Sequence, residues 1–436
     1  LERGAAAVIS ELPPPPDFPA AWVRVPAVRR AMAEVSRTFY GQPDESLMLV
    51  GITGTNGKTT TAYLVHSILE AAGFKSGLFG TIEYKVGDRA LPALHTTPES
   101  LDLAAYLAEL VRSGGHAAAM EVSSHALAQD RVWGLRFAAA VFTNLTGDHL
   151  DFHKDMDHYF AAKRRLFEGV GTPPPELAVI NADDPWGKLL LDVPNPRKIT
   201  YGESDADVKA KHFSQGPAGL KITLAVREQR LDLESALLGH SNLENIMAAV
   251  AVTHGLGIAA DKIREGIAQL KQVPGRFEKV DEGQPFLVLV DYAHTHDALR
   301  SALTTTRELT VERLLVIFGC GGERDRTKRP MMGEVAGHLS DWVVLTSDNP
   351  RGEDPILIMN DVMVGLQKTG RAYLAEVDRE SAIRKALEQA REGDTVLIAG
   401  KGHESSQILK DGAVPFDDRQ VARKVLREMG FGRDAA

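Results

Sequence analysis

The sequence predicts an α/β protein with two parallel-sheet domains in series, and three observations carry that expectation. From Leu47 onward, short apolar runs ("LMLVGIT", "AAAMEVS", "AAAVFTN") alternate with helical stretches, as when each strand returns to a parallel sheet through a helix. A second series ("FLVLVDY", "RLLVIFG", "WVVLTSD", "TVLIAGK") begins only after "KQVPGRFEKV", whose Pro274 and Gly275 mark a linker. The length, 436 residues, leaves room for about three domains.

Taken in order, residues 1–46 form an N-terminal piece too small to be a complete domain, with a short stiff segment at Pro13–Pro16. Its opening has no signal-peptide core, and no apolar stretch in the chain approaches the ~20 residues of a membrane span. Residues 47–272 form the central domain. Its first helix, expected over residues 59–72, carries Ala62, Val65, Ile68, Leu69 and Ala72 as one apolar stripe. Residues 207–233 alternate in "LKITLAV" and read as a small antiparallel insert, followed by a helix over residues 241–256. Residues 273–436 form the C-terminal doubly wound domain.

Composition narrows the function classes. A formal charge of −9 argues against a general nucleic-acid binder, so an anionic substrate needs a local basic cluster. One cysteine, Cys320, excludes an internal disulfide and suits a reducing cytosol. The expected partners are small molecules, with no nucleic acid and no membrane.

"GITGTNGKTTT" (residues 51–61) ends a strand and opens a helix. Glycines there let backbone N–H groups approach phosphate, Lys58 can reach terminal phosphates, and the Thr59 hydroxyl can ligate Mg²⁺. The strict G-x-x-x-x-G-K spacing is not met, because Ile52 stands at the first glycine. The loop still reads as a nucleoside-triphosphate site, which makes the central domain P-loop ATPase-like. Glu121, at the end of "AAAMEVSSH", is placed to hold Mg²⁺ beside such a loop. In "TNLTGDHLDFH", His149 and His153 lie four apart with His158 nearby, a weak zinc pattern without H-E-x-x-H or cysteines. Lys163, in "YFAAKRRLF", reads from spacing alone as a solvated surface lysine.

In the C-terminal domain, polar residues gather after strands: Asp291 and His294; Arg324 and Lys328; Asn349 and Arg351; Gly400, His403 and Glu404. Open α/β sheets bind ligands at the carboxyl ends of their strands, so these clusters predict one pocket in a Rossmann-like domain. "GCGGER" is not a dinucleotide fingerprint, since its third glycine is absent.

Together, "GTNGKTT", "HTTPES", "EVSSHAL", "TNLTGDHLDFH", "YFAAKRRLF", "PGRFE", "DYAHT", "FGCGGERDRTKRP", "SDNPR" and "GKGHE" resemble, in the family's order from Gly51 to the C-terminus, the Mur ligases. These are the ATP-dependent amide-forming enzymes of cytoplasmic peptidoglycan synthesis. The resemblance implies that ATP phosphorylates a carboxylate of a nucleotide-linked peptide and that an amine then attacks the acyl phosphate. It implies ATP binding by Gly54, Thr55, Asn56, Gly57, Lys58, Thr59 and Thr60, with Asn245, Arg276 and Asp291. It implies two Mg²⁺ ions, one on Thr59 and Glu121 and one on His149 and a carbamoylated Lys163. Thr96, Thr97, Ser123, Gln129 and Arg131 match positions that bind the UDP-muramoyl peptide. "DNPR" (Asp348, Asn349, Pro350, Arg351) marks the members that add meso-diaminopimelate, with Arg324, Gly400 and Glu404 completing that pocket. A monomer is expected.

The sequence departs from the family pattern in three places. Residues 1–46 match only the tail of the domain that grips the uridine end. His296 stands where proline is usual, and Ser241 where an aromatic is usual. Lysine-adding ligases and folylpolyglutamate synthetases share the ATPase core, but "DNPR" speaks against the first, and "HTTPES" with "EVSSHAL" against the second. A non-catalytic nucleotide-binding regulator is disfavoured by the intact Lys58, Glu121, His149 and Lys163.

Overall fold

The computed structural model describes residues 4–216 and 218–432. Two sheets organise it. The larger has eleven strands, and its parallel centre contains Met48–Thr53 flanked by Ala117–Glu121 and Ala139–Phe142. These strands are buried along almost their whole length, which is why they read as apolar runs without alternation. The alanines of the two flanking strands leave room for helices on both faces.

Helices Lys58–Ala71 and His240–Gly255 pack together on one face. Residues Ile246–Val252 are buried all round, because this helix is covered on several sides. Helix Ala260–Gln269 crosses Lys58–Ala71 at Gly266, where a Cβ would run into the backbone of Ile68.

The expected antiparallel pairing is present over residues 208–235, but it extends the large sheet and is not a separate insert. Strand Arg197–Gly202 pairs in parallel with Val208–Gly216, which turns back through Gly219–Val226 and Gln229–Ser235. Asp207 fixes the join: its Oδ2 accepts from the Thr200 N–H at 2.9 Å and from the Thr200 hydroxyl at 3.0 Å.

The smaller sheet runs Glu278–Lys279, Leu287–Asp291, Thr395–Ala399, Leu314–Phe318, Trp342–Thr346, Tyr373–Glu376, parallel except at the first pair. Its parallel strands therefore end on one edge, where the predicted polar clusters sit. The expected linker is not a loose tether. Gly275 (φ 64°) donates its N–H to Glu278 Oε2 at 2.8 Å and lies so close to the backbone of Gly402 and His403 that no side chain fits. Residues 4–46 are also docked: the Trp133 indole N–H donates to Glu34 Oε1 at 2.9 Å. The parallel pair Ala7–Ser10 and Ala21–Arg24 leads to helix Val28–Phe39, whose Arg37 binds the buried Asp44 at 2.8 and 3.1 Å.

The smaller sheet is braced from behind by a buried ion pair. Arg379 donates to both oxygens of Asp418 at 2.7 Å, and neither side chain is exposed. The same guanidinium donates to the carbonyls of Ser347 at 3.3 Å and Ala399 at 3.0 Å, tying two strand ends to helix Asp418–Glu428. Replacing Asp418 with asparagine strands the arginine charge. The expected loss is about 3–5 kcal/mol of stability, measured by chemical denaturation.

Candidate active site

The first strand of the large sheet's centre delivers the phosphate loop. Gly54 (φ 152°) and Gly57 (φ 85°) pass so close to Thr143 Oγ1 and Asn245 Oδ1 that a Cβ at either would clash. The loop is strapped to the neighbouring strand end. The Thr55 N–H donates to the Asn144 carbonyl at 2.8 Å, the Asn56 N–H to Asn144 Oδ1 at 2.9 Å, and the Thr143 hydroxyl to the Asn56 carbonyl at 2.6 Å. Lys58 Nζ folds back onto the carbonyls of Gly54 (2.9 Å) and Thr55 (2.7 Å). Desolvation lowers its pKa, Glu121 opposing and Arg276 adding to the effect. Thr60 is buried in the first turn of the helix.

Glu121 is 1% exposed. Its two oxygens accept from the N–H (2.8 Å) and hydroxyl (3.1 Å) of Thr81, a residue that no sequence motif marks. The Thr59 hydroxyl accepts from Arg276 Nη2 at 3.2 Å across the two sheets. Arg276 lies over the Tyr292 ring at 4.6 Å. Asp291 accepts from the N–H groups of Phe277 and Ala293, both at 2.9 Å, and burial raises its pKa. Asn245 donates to Asn242 Oδ1 at 3.1 Å.

Lys163 corrects the surface reading. It is 1% exposed, on the buried stripe of helix Met156–Glu168 with Tyr159, Phe160, Leu166 and Phe167. Its Nζ donates to the Gly54 carbonyl at 2.7 Å and sits 4.5 Å over the Tyr159 ring. No carboxylate among the described residues lies within ion-pair distance of it. Burial, and then the Lys58 charge, hold its amine well below the ordinary lysine value. Tyr159 and Phe167, four residues to either side, were the available signal.

His149 adopts a left-handed φ of 56° and stacks edge-on with His125 at 4.8 Å between ring centres. Desolvation holds it below the usual histidine value against the pull of Asp148. The other two histidines of the zinc pattern point elsewhere: His153 pairs with the Ser124 hydroxyl at 2.9 Å and His158 with Asp155 at 2.7 Å. Among the described residues no group of three or more His, Cys, Asp or Glu could hold a metal ion.

A cavity of about 900 Å³ joins these groups. Lys58, Glu121, His149 and Lys163 line it. One part of its wall is formed by Thr96, Ser123 and Arg131. Thr97 and Gln129 stand behind it: Arg131 donates to the Thr97 carbonyl at 2.9 Å and to Gln129 Oε1 at 3.0 Å. Asn245, Ser241 and Ser301 belong to the same wall, as do Arg324 and Glu404. Asp348, Asn349 and Gly400 are buried off that wall, and Asn349 Nδ2 donates to Glu404 Oε2 at 2.9 Å. Pro350 and Arg351 lie off the cavity wall. Arg351 Nη1 is held on the Gly322 carbonyl at 2.8 Å.

The donors suit magnesium on one condition. Mg²⁺ takes oxygen ligands, which Thr59 and Glu121 supply. Lys163 supplies an oxygen only as a carbamate, and the neutral amine that its burial favours is the form that reacts with CO₂.

Residues 52–253 match the Mur ligase middle domain, and residues 275–402 the Mur ligase glutamate ligase domain. A UDP-N-acetylmuramoyl-L-alanyl-D-glutamate–2,6-diaminopimelate ligase of Solibacter usitatus (strain Ellin6076) is 55% identical, covering 99% of this chain and 87% of the relative. One of the same name from Geobacillus thermodenitrificans (strain NG80-2) is 46% identical, covering 98% and 88%. A solved structure of a ligase of that name superposes with a TM-score of 0.70 at 35% identity, covering 98% of this chain and 88% of the other. Folylpolyglutamate synthase of Mycobacterium tuberculosis, at 18% identity and TM-score 0.69 over 94% of this chain and 96% of that one, shares the fold. Similarity that runs through both sheets and the cavity between them makes this chain a member of the Mur ligase family.

Proposed function

We propose that the chain is the ATP-dependent ligase that joins meso-diaminopimelate to UDP-N-acetylmuramoyl-L-alanyl-D-glutamate, releasing ADP and phosphate. The observation that carries this is the cavity that brings the glycine-rich loop, the Thr96, Ser123 and Arg131 group, and Arg324 with Glu404 of "GKGHE" onto one wall, with Asn349 of "DNPR" bonded to Glu404 behind it. The named relatives support it. In this reading residues 47–272 bind ATP, residues 273–436 bring the amino acid, and a monomer works in the cytoplasm.

The loop N–H groups and Lys58 hold the ATP phosphates, and Arg276 orients the Thr59 hydroxyl from the second sheet. Thr96, Ser123 and Arg131, with Thr97 and Gln129 behind them, hold the nucleotide-linked peptide. Its glutamate carboxylate then attacks the terminal phosphoryl group, giving an acyl phosphate and ADP. The amine of the amino acid held at Glu404 attacks the acyl carbon, and phosphate leaves as the amide forms. Two Mg²⁺ ions, on Thr59 with Glu121 and on His149 with carbamoylated Lys163, would neutralise charge on the transferred phosphoryl group. The Lys163 amine and CO₂ form the carbamate with loss of one proton.

The test is phosphate release from ATP, Mg²⁺ and the UDP-linked dipeptide with meso-diaminopimelate, with L-lysine, or with neither. Release only with meso-diaminopimelate is expected. Release with lysine alone would discard the substrate assignment, and silence in all three would discard the ligase.

A further inference from the structure

We propose that Lys401 is the positioning residue of the Glu404 part of the cavity: it engages one oxygen of Glu404, fixes the Asn349 amide in a single orientation, and leaves the other Glu404 oxygen to receive the ammonium of the incoming amino acid. The inference rests on the reading of that part of the cavity as the amino-acid site.

Lys401 is among the largest side chains with no exposure at all. It follows the buried strand Thr395–Ala399, so its position is set by the sheet. Its Nζ donates to Asn349 Oδ1 and to Glu404 Oε2, both at 2.9 Å, and lies 3.7 Å from Asp348 Oδ1. An ammonium has donors and no acceptor, so whatever it touches must accept. Asn349 Oδ1 also accepts from the Ile408 N–H at 3.0 Å. Two obligate donors on one side of the amide settle which atom is oxygen, and Nδ2 is left facing Glu404 Oε2 at 2.9 Å.

Glu404 is thereby divided. Oε2 takes two donors, whereas Oε1 has no hydrogen-bond partner among the described residues. The side chain keeps 29% exposure and lines the cavity. Charge points the same way. Lys401 faces two carboxylates, Asp348 and Glu404, which leaves one negative charge for a ligand cation. Other cations nearby make no hydrogen bond to Glu404: Arg379 is paired with Asp418, Arg324, on the same cavity wall, donates to the Glu323 carbonyl, and Arg351 holds Gly322 through Nη1 alone.

The experiment measures steady-state constants for all three substrates in wild type, Lys401→Met, Glu404→Gln and the double variant. Lys401→Met should raise KM for meso-diaminopimelate about 10- to 100-fold, the equivalent of losing one charge-assisted hydrogen bond. KM for ATP and for the UDP-linked dipeptide should stay within about threefold, as should kcat at saturating amino acid. Because Lys401 acts through Glu404, adding Lys401→Met to Glu404→Gln should cost far less than it does alone. Should Lys401→Met fail to fold, Lys401→Gln, which keeps a donor without the charge, should show the same selective rise at smaller size. Equal rises in all three KM values, or additive costs in the double variant, would mean a merely structural lysine and overturn the proposal. A wild-type protein inactive with the amino acid would overturn the reading beneath it, and the proposal with it.

Discussion

Lys163→Met is expected to lower ligation by about a thousandfold or more while leaving the melting temperature unchanged or raised. The two halves have separate causes. Lys163 lies in a buried apolar stripe, with a carbonyl and an aromatic face as its contacts. Methionine has nearly the same length and no polar head to desolvate, and replacing a buried polar group with an apolar one of similar volume is often neutral or stabilising. Activity should collapse because the variant cannot form the carbamate, and an anchor for charge at a phosphoryl-transfer site is worth about 10³-fold or more. The wild type should also lose activity on thorough removal of CO₂ and regain it with bicarbonate. The checks are steady-state ligation with and without bicarbonate, and thermal melting of both proteins. A CO₂-indifferent wild type, or an active Lys163→Met, would discard the carbamate.

That residue also shows where sequence reading stops. The conformation of the glycine-rich loop was legible because its determinants are local: glycines at positive φ, a lysine, and a helix start at Lys58, one residue from the expected boundary. The C-terminal pocket was legible because strand ends of a parallel sheet share an edge, so Asp291, Arg324, Asn349 and Glu404 could be grouped from order alone. Thr81, Thr143 and Lys401 were not, since each works through a partner distant in sequence: Glu121, Asn56 and Asn349. The extension of the large sheet was missed for a similar reason. Its join depends on Thr200 meeting Asp207, a contact that alternation within a strand does not reveal.

Arg351→Lys is expected to cut kcat/KM for meso-diaminopimelate by about 10²- to 10³-fold and leave the much lower value for L-lysine nearly unchanged, so that most of the discrimination disappears. Arg351 is pinned at its backbone, where its N–H donates to the Ile408 carbonyl at 3.0 Å, and along one edge of its guanidinium, where Nη1 donates to Gly322 O. Nε and Nη2 have no hydrogen-bond partner among the described residues. Arg351 meets the cavity-wall residue Arg324 at Gly321, and in the proposed function these two nitrogens form the planar fork that takes the distal carboxylate through two hydrogen bonds. Lysine keeps the charge but offers a single point donor on a flexible stem, so the second bond and its direction are lost. L-Lysine has no distal carboxylate to miss them. The residue also sits at φ 52°, a left-handed conformation that any side chain resists and glycine does not. Arg351→Gly should therefore relax the loop backbone and still lose the discrimination, separating recognition from strain. The measurement is kcat/KM for both amino acids in the three proteins. Equal losses for diaminopimelate and lysine would show that Arg351 shapes the loop without contacting the carboxylate.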